Sequence, residues 1–556
     1  MSRMDAIEVP LTNTTAKDHS RLAIIALAVI AVLQVLFALD RTINWDEFYF
    51  YGQIADFTQG EALKPLQTLH VQLFAWLPGS ATTGVDGIVI GRLVMLACAF
   101  ATAGCVALIA GKFARREYAL TAALVWLAAG FTMQHGWSFR TDPLAAIGVA
   151  ASLAVLARAR LSPLWIVLGG ALIGVAGMFS LKAILFAPAF AGLAWLRWSE
   201  ARFSTGYAMR IAAIPLAGIA TFAALYLWHG SALGNGDAST GTAYASSVGG
   251  DMLFAGWPIY LHFAIKAAIL SIAALGAIIV TISTLGTRRR DEAIALVGLI
   301  APLAALLIYR NTLPYFYPMM LAPVIAASVV GIAAIAERYG LRLFILYTAI
   351  SGCVVWIVDG SSRQDEQREI QLAADAIFDE PVGYFDFPDM LPQHRKANGF
   401  LTSWGIESLY RGGPGYYRAI LENETVPLVL TADPEQNANL LAIMEEGENQ
   451  RFFHAEERDV LRATYRHFWG PFWLAGREVA AGHSERVEVL VPGPYTVTGG
   501  PILIDGNERP QGMVITLRRG FIELANPGEA PAGIIWGERL ERPDMPVPER
   551  PYWRGF

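Results

Sequence analysis

Seven ionisable residues lie at the ends of long apolar segments, where charge is costly and is usually retained for function. They are three carboxylates and four cations: Asp46, Glu47, Asp142, Arg92, Arg140, Lys182 and Arg310. A carboxylate held at a membrane interface can act as a general base toward a hydroxyl within about 2.6–3.2 Å. Arginine and lysine are the side chains that bind phosphate. Acids and cations on one membrane face therefore predict a site for an anionic lipid headgroup.

The three acids also have structural interpretations. Asp46 and Glu47 directly follow the first apolar segment, and acids favour the first turn of a helix because of the helix dipole. Vicinal acids cannot both face one way on a helix, so one could face a cavity while the other anchors the loop. Asp142 precedes a proline, a pattern typical of a helix start, and could be an ordinary N-cap. Spacing alone leaves these alternatives open.

Two of the cations have structural interpretations as well. Lys182 lies between two apolar segments and could snorkel from a helix end toward water. Arg310 precedes the aromatic run LPYFYP, which offers ring faces for a sugar beside a cation for a phosphate. The same aromatic residues could belong to the aromatic belt that many membrane proteins carry at the interface.

The composition indicates which elements position these residues. Of the 556 residues, 54% are hydrophobic and 16% are charged, and the mean hydropathy is +0.41. Soluble domains carry about 25% charged residues. This deficit excludes an ordinary soluble enzyme, a disordered chain and a nucleic-acid binder.

The apolar segments are long enough to cross a bilayer, which takes roughly 20 mostly apolar residues per helix. We predict eleven spans, near residues 21–39, 87–110, 118–134, 143–157, 161–178, 182–197, 209–228, 259–284, 292–309, 315–335 and 342–358. With the N-terminus in the cytoplasm, the short cytoplasmic segments hold 16 Lys and Arg residues and the opposite ones hold 5. Eleven spans then place the C-terminus outside, which in a bacterium is the periplasm. We therefore predict a multi-pass protein of the bacterial inner (plasma) membrane.

The remaining third of the chain has the composition of a soluble region. Residues 361–556 contain 19 Lys and Arg against 30 Asp and Glu. We predict three domains: a helical membrane domain at 1–360, a mixed α/β region at 361–482, and a β-rich module with a Pro-rich tail at 483–556. The fold class is thus a polytopic α-helical membrane protein with a periplasmic α/β plus β-rich part.

Patterns within the soluble part predict its elements. Helices are expected near 365–377, over GPGYYRAILEN and through LRATYRHFWGPFWLAG, with strands at VGYFDF and VPLVLTADP. Short apolar runs split by Gly, Pro and Asp-Gly turns predict a β-sandwich-like module over 484–540. That module could bind carbohydrate through Tyr495 or Trp536, or it could be a structural cap.

Six motifs, in this order, resemble the GT-C superfamily of integral-membrane glycosyltransferases, in particular the branch of protein O-mannosyltransferases and bacterial aminoarabinose transferases (families 39 and 83). They are WDEFYFYGQIA with Asp46 and Glu47, KPLQTLHVQLFAWLPG, GRLVMLACAF with Arg92, FRTDPLAA with Asp142, FSLKAILFAP with Lys182, and LPYFYPMMLAP. The likeness covers about residues 20–345. The family's usual Leu-Thr-Lys is Ser180-Leu181-Lys182 here.

The resemblance implies inverting transfer of a sugar from a polyprenyl-phosphate donor to a hydroxyl or amine of an envelope lipid, polysaccharide or protein. Asp46 would be the general base, and Glu47 and Asp142 the further catalytic carboxylates. The leaving phosphate needs cations in place of the general acid of a glycosidase. The donor phosphate would be bound by Lys182, Arg140, Arg310 and Arg92, and the sugar or acceptor by Tyr49, Tyr315, Tyr317 and His70.

The resemblance leaves a divalent cation open, Mg²⁺ or Mn²⁺, with Asp46 and Asp142 as the candidate ligands. Membrane lipid is an expected partner and nucleic acid is not. Two other classes of function compete with this one. A transporter or flippase of lipid-linked saccharides would hold its carboxylates near the midplane of broken helices. A non-catalytic glycan-binding assembly protein would keep the fold with a degenerate site.

Overall fold

The computed structural model describes residues 13–61, 69–230, 252–254, 258–359, 362–399, 409–431, 454–538, 541–547 and 552. The chain divides into two compact units. The first comprises Met1–Asp40, Ala62–Phe74 and Val89–Gly360, and the second comprises Arg41–Glu61, Ala75–Ile88 and Ser361–Phe556. The segments on either side of residues 62–74, which we assigned to the membrane domain, thus belong to the same unit as the C-terminal region.

Twenty α-helices lie in the described ranges. They are α1 Asn13–Asp40, α2 Trp45–Thr58, α3 His70–Leu73, α4 Gly84–Ala110, α5 Arg116–Leu127, α6 Gly130–His135, α7 Thr141–Arg158, α8 Pro163–Phe179, α9 Ala187–Glu200, α10 Thr205–Gly230, α11 Leu261–Ile269, α12 Ile272–Thr284, α13 Arg290–Ile300, α14 Ala305–Ile308, α15 Tyr317–Ala327, α16 Val329–Tyr339, α17 Leu341–Val358, α18 Gln364–Ile377, α19 Tyr416–Asn423 and α20 Ala455–Thr464.

All eleven predicted spans are helical in the first unit, although not all are single helices. Seven helices in the described residues are long and apolar enough to cross a membrane, and two bent helix pairs bring the number to nine. In the first bent pair, α11 meets α12 at 102°. In the second, α15, which the 3₁₀ turn Pro314–Phe316 precedes, meets α16 at 60°. Helix α8, with 17 residues, is shorter than these spans.

The single span predicted over 118–134 is wrong, because α5 ends at Leu127 and the short α6 begins at Gly130. The Gly130 N–H donates to Ser271 Oγ at 2.8 Å, at the bend between α11 and α12. A Cβ on residue 130 would lie 2.3 Å from Leu270, so the break depends on a glycine here.

Glycines set the closest helix contacts of the first unit, as is common where helices pack within a membrane. A Cβ at Gly174 of α8 would lie 2.5 Å from the Gly218 carbonyl of α10. One at Gly331 of α16 would lie 2.1 Å from the Ala277 carbonyl of α12, and the Gly331 N–H donates to Thr281 Oγ1 at 2.9 Å.

Replacing Gly331 by alanine should destabilise the first unit by about 1–3 kcal/mol, because the methyl group overlaps backbone that cannot move aside cheaply. Gly276, on the facing helix α12, is the matched control, since a Cβ there meets only the end of Ile335 at 4.0 Å. Gly276→Ala should be neutral or stabilising by up to about 1 kcal/mol. Thermal unfolding of the detergent-solubilised protein measures both, and equal midpoints for the two variants would contradict the expectation.

Twelve strands lie in the described part of the second unit. They are β1 Gly383–Phe385, β2 Arg395–Lys396, β3 Leu428–Leu430, β4 Tyr465–Trp469, β5 Phe472–Val479, β6 Ser484–Val489, β7 Gly493–Thr498, β8 Ile502–Ile504, β9 Asn507–Arg509, β10 Val514–Leu517, β11 Gly520–Ala525 and β12 Ala532–Trp536. One sheet has eight strands in the order β10-β7-β12-β5-β3-β1-β2, with β4 also paired to β5. A second sheet has four, in the order β6-β11-β8-β9.

The secondary structure predicted for the soluble part is confirmed with one exception. Helices α18 and α19, strands β1 and β3, and the β-rich character of 484–540 match the predictions. The helix predicted through LRATYRHFWGPFWLAG is wrong beyond Thr464, where β4 and β5 form a hairpin. Gly470, at φ +47°, turns the chain between two aromatic strands, and aromatic side chains favour a half-buried sheet.

The two predicted soluble regions share one sheet. Strand β5, from the α/β region, pairs on one side with β3 and on the other with β12 of the β-rich module. The boundary at 482/483 therefore does not separate two sheets. Tyr495 is buried and its hydroxyl donates to the Val491 carbonyl at 2.7 Å, while Trp536 Nε1 donates to the Pro492 carbonyl at 3.2 Å. These contacts favour the structural interpretation of both aromatics.

Three glutamines of α18 hold the segments of the second unit that flank α2. They stand at positions i, i+3 and i+7, which place them on one face of the helix. Each binds main-chain atoms: Gln364 Nε2 the Arg41 carbonyl (3.0 Å), Gln367 both the N–H and the carbonyl of Ile43 (3.0 and 2.9 Å), and Gln371 the N–H of Val85 (3.2 Å). We call these residues the glutamine row.

Candidate active site

A carboxylate held between two cations lies at the start of α7. Asp142 Oδ1 accepts a hydrogen bond from Lys182 Nζ at 2.5 Å, and Oδ2 accepts one from Arg140 Nε at 3.3 Å. The Asp142 side chain is 4% exposed, that of Arg140 6% and that of Lys182 17%. The structure thus brings three of the predicted site residues together, and we call them the cation cluster.

The local backbone explains how the cluster forms. Arg140 is extended (φ −144°, ψ 169°) and precedes α7, so Asp142 is the second residue of the helix. Pro143 follows within the first turn, where the missing N–H has no intrahelical partner to lose. Lys182 lies in the 3₁₀ turn Leu181–Phe186 between α8 and α9. Asp142 is therefore not the N-cap residue, and its carboxylate serves the two cations instead.

The aromatic motif contacts both cations. The Arg140 Cζ lies 3.5 Å from the ring centroid of Tyr315, and Lys182 Nζ lies 5.1 Å from the same centroid and 5.9 Å from that of Phe316. Cations over aromatic faces are stabilised by about 0.5–2 kcal/mol. Tyr315 and Phe316 are buried, which differs from the exposed aromatic belt of a membrane surface.

Arg92 has contacts that identify a structural role. Its side chain is buried, the Cζ lies 5.0 Å from the ring centroid of Trp137, and Nη1 donates to the Ala38 carbonyl at 3.3 Å. The carbonyls at a helix C-terminus carry partial negative charge, so an arginine there stabilises the end of α1. Phosphate binding by Arg92 stays a prediction.

Three other predicted residues also lie in the first unit. His70 begins α3 and is buried. Tyr317 packs its ring edge to face on Phe131, with 5.0 Å between centroids. Arg310 is half-buried, and its main-chain N–H donates to the Met252 carbonyl at 2.8 Å. Their proposed binding roles stay predictions.

Asp46, Glu47 and Tyr49 lie on α2, in the second unit. Asn44 is the N-cap: its Oδ1 accepts the Asp46 N–H, and its own N–H donates to Glu47 Oε2 at 3.0 Å, which completes a capping box. Both acids are buried rather than solvated. Tyr49 is half-buried and meets Phe50 edge to face at 5.6 Å. Of the two acids, Glu47 is thus the one that anchors the helix start.

One polar neighbour of the cluster was missed by the sequence interpretation. His135, together with Thr102, Trp126 and Tyr315, lines a cavity of about 10 Å³ beside Asp142. This is room for about one water molecule. His135 is buried at the end of α6. A single histidine in the apolar run GFTMQHGW gave no spacing signal that separates it from a core histidine.

An apolar cavity begins at the turn that carries Lys182. Its volume is about 590 Å³ and it lies among α7, α8, α9 and α10. Leu181, Ala183 and Ile184, the neighbours of Lys182, line it together with glycines 174, 177 and 218. A charged site and a hydrocarbon-lined cavity therefore share the turn Leu181–Phe186.

The cation cluster does not fit a divalent metal. Mg²⁺ and Mn²⁺ prefer carboxylate, carbonyl and water oxygens, whereas both Asp142 oxygens bind side-chain cations. Across the described ranges, no group of three or more His, Cys, Asp or Glu side chains is placed to hold a metal ion.

No family model and no curated protein matches the sequence. Several solved structures do match the fold. ArnT from Cupriavidus metallidurans bound to undecaprenyl phosphate is 12% identical, with a TM-score of 0.53 over 75% of this chain and 93% of that chain. The Archaeoglobus fulgidus oligosaccharyltransferase in its apo form is 12% identical, with a TM-score of 0.52 over 92% and 95%.

The Archaeoglobus fulgidus oligosaccharyltransferase AglB in complex with an inhibitory peptide and a dolichol-phosphate is also 12% identical, with a TM-score of 0.50 over 94% of this chain and 96% of that chain. At such identities the likeness concerns the fold. This chain, with its apolar helices and its β-rich C-terminal region, matches the fold of these structures. The protein therefore has the GT-C fold.

Proposed function

We propose that the protein is a membrane glycosyltransferase that moves a sugar from a polyprenyl-phosphate donor to an acceptor of the cell envelope, on the periplasmic face and with inversion. The observation that carries the proposal is the cation cluster beside the apolar cavity. Two positive charges and one negative charge leave the cluster with a net charge of +1, beside hydrocarbon. A lipid phosphate needs this combination of a cation for its headgroup and apolar walls for its tail.

The chemistry assigns one role to each part of the cluster. Lys182 has three N–H donors and gives one to Asp142, so others can reach a phosphate oxygen. Asp142 holds Lys182 and Arg140 in place, which makes it a positioning residue. Fixed cations stabilise the charge that develops on the leaving phosphate without reorganising.

In the transfer step, the Asp46 carboxylate takes the proton from the acceptor O–H or N–H. The acceptor atom forms a bond to the anomeric carbon while the bond from that carbon to the phosphate oxygen breaks. The electron pair leaves with the polyprenyl phosphate, whose charge Lys182 and Arg140 offset. Attack opposite the leaving group inverts the anomeric centre. No general acid is required, because phosphate is a stable leaving anion.

The fold supports this proposal. ArnT was solved with undecaprenyl phosphate and AglB with a dolichol-phosphate, so the two fold relatives bind lipid phosphates. The proposal does not name the sugar, and the acceptor is a lipid, a polysaccharide or a protein. Either a hexose or a pentose satisfies the same geometry.

A deletion strain distinguishes the proposal from its alternatives. We expect polyprenyl-phosphate sugar to accumulate and one envelope glycan to lose that sugar, as measured by mass spectrometry of both pools. Complementation with Lys182→Met should fail. If the protein were a flippase, its deletion would instead trap the lipid-linked sugar in the inner leaflet. A non-catalytic binding protein would be complemented by variants of the cation cluster, and either result would contradict the proposal.

The apolar cavity predicts a dependence on donor chain length. Ala212 of α10 lines the cavity, whereas Ala220 of the same helix does not, and both are exposed on α10. Ala212→Trp should raise KM for a full-length polyprenyl donor about tenfold, equivalent to about 1.4 kcal/mol, because the indole takes the place of the tail. Ala220→Trp should leave KM unchanged. A donor with a ten-carbon tail should abolish the difference, and an equal effect of both substitutions on both donors would contradict the assignment of the cavity.

A further inference from the structure

A loop of the C-terminal region forms a seat for α2, the helix that carries Asp46. The loop comprises residues 386–392, and we call it the seat loop. It contacts the start, the middle and the end of α2. The contacts are Phe387 edge to face on Trp45 (5.7 Å), Asp389 against Gly52, and the Pro392 carbonyl bound by Gln59 Nε2 (2.9 Å).

The middle contact is the tightest of the three. A Cβ on Gly52 would lie 1.9 Å from Asp389 Oδ2, so the carboxyl group of Asp389 rests directly on the helix backbone. Asp389 has φ +99°, a region that side chains other than glycine rarely adopt. Strained residues of this kind persist only where surrounding contacts fix them, and they concentrate at functional sites.

Those contacts are present in the seat loop. The Asp386 carboxylate accepts the N–H groups of Phe387, Asp389 and Met390 at 2.6, 3.1 and 2.7 Å. The Tyr384 hydroxyl donates to Asp389 Oδ1 at 2.8 Å. The loop therefore keeps its shape, and it presents the Asp389 carboxyl to α2.

Among the described residues, four titratable groups act on this carboxyl. Asp56 lies on α2, Tyr384 on β1, Asp386 in the seat loop itself and Lys396 on β2. Lys396 donates to two main-chain carbonyls, at 2.6 and 2.8 Å. Burial above all, and then the charge of Asp56, raises the pKa of Asp389 to about 8. The raised pKa favours the protonated form of this carboxyl.

We propose that Asp389 is a positioning residue of the transfer reaction, whose neutral carboxyl seats α2 and whose ionisation loosens it. The inference rests on the proposed function, because α2 carries Asp46, the proposed base. Loss of the proton puts a buried negative charge against Gly52, opposite Asp56, and like charges at short range repel. Helix α2 then moves away from the seat loop, and the start of α2 moves with it.

The direction of each pH effect follows from the groups that surround Asp389. On the alkaline side, transfer should fall about tenfold for each pH unit above about 8, because only the neutral form of Asp389 seats α2. Asp389→Asn mimics that form and should remove this alkaline loss. Asp56→Asn removes a charge that opposes ionisation and should shift the loss to lower pH. Lys396→Gln removes a charge that favours ionisation and should shift it to higher pH.

Hydrogen–deuterium exchange of the peptide covering residues 45–58 supplies a readout that needs no substrate. In the full-length protein in lipid nanodiscs, its exchange, corrected for the intrinsic pH dependence, should increase above about pH 8. The increase should be absent in Asp389→Asn and should shift as stated in the other two variants. Asp375→Asn, on the exposed side of α18, is the control and should match the wild type.

Two failures are distinguishable. If no protein, wild type included, transfers sugar from donor lipids extracted from the deletion strain, the proposed function is wrong. If the wild type transfers sugar but Asp389→Asn keeps its pH profile and its exchange in α2, the positioning role is wrong. The same holds if Asp56→Asn and Lys396→Gln shift the profile in one direction, since a merely structural role would not separate their signs.

Discussion

Replacing Asp46 by asparagine should lower the rate of sugar transfer by about 10²–10⁴, the contribution expected of a positioned general base. Asparagine keeps the shape of the side chain and cannot accept the acceptor's proton. The N–H of residue 46 still donates to Asn44, so the capping box remains intact. Donor affinity should change little, because the base contacts the acceptor. Initial rates with saturating donor, together with the dissociation constant for the donor, measure the two effects separately.

Glu47→Gln is the informative companion of this variant. A glutamine at the third helical position still accepts the Asn44 N–H, so the capping box survives. We expect transfer close to that of the wild type. Full transfer by Asp46→Asn with a large loss in Glu47→Gln would overturn the assignment and make Glu47 the base. Equal small effects in both would mean that neither acid moves the proton.

Lys182→Met should reduce transfer by about 10²–10³, the loss seen when one fixed donor to a developing oxyanion is removed. Methionine retains most of the apolar stem of the side chain and removes the charge. The matched control is Lys112→Met. Lys112 is also 17% exposed and is also paired with a carboxylate, that of Glu200 at 2.6 Å. Loss of transfer in both variants would show that ion pairing in general, and not the cation cluster, supports activity.

Stability must be separated from activity in this experiment. Removing Lys182 leaves the buried Asp142 paired with Arg140, one negative charge against one positive charge, so the unfolding midpoint should change little. The double variant Asp142→Asn/Lys182→Met also removes the carboxylate that the buried Arg140 binds, so it should lower the unfolding midpoint below that of the single variant. It should not recover transfer. A double-mutant cycle of Lys182→Met with Asp46→Asn tests whether the two residues act together. Residues that act on one transition state lose activity non-additively.

The eleven apolar segments could be predicted because bilayer thickness imposes length and composition on each helix. Their breaks could not. The interruption at Gly130 depends on Leu270 and Ser271, far away in the sequence, and hydropathy carries no record of such a contact. The hairpin at Gly470 was missed for a different reason. Its aromatic residues fit a helical pattern and a strand equally well, and pairing with distant strands decided between the two.

The candidate site was predictable as a set of residues but not as a geometry. Asp142, Lys182 and Arg140 could be chosen because charge at the end of an apolar segment is unusual, and Tyr315 because it belongs to the aromatic motif LPYFYP. Their contacts depend on the 3₁₀ turn Leu181–Phe186 and on the extended backbone of Arg140, which the periodicity of the sequence does not predict. The role of Glu47 could be read from Asn44 and the spacing of a capping box. His135 and Asp389 had no such signal, because burial alone gives them their surroundings.

The glutamine row binds the main chain on either side of α2 through carbonyl and N–H groups, which every amino acid except proline possesses. Substitutions at residues 41, 43 and 85 that keep these main-chain groups therefore keep their hydrogen bonds to α18. Related proteins could diversify the chemistry they present to an acceptor while inheriting one fixed anchor. Because the glutamine amides bind the main chain, the side chains around α2 can change during evolution while the helix keeps its position.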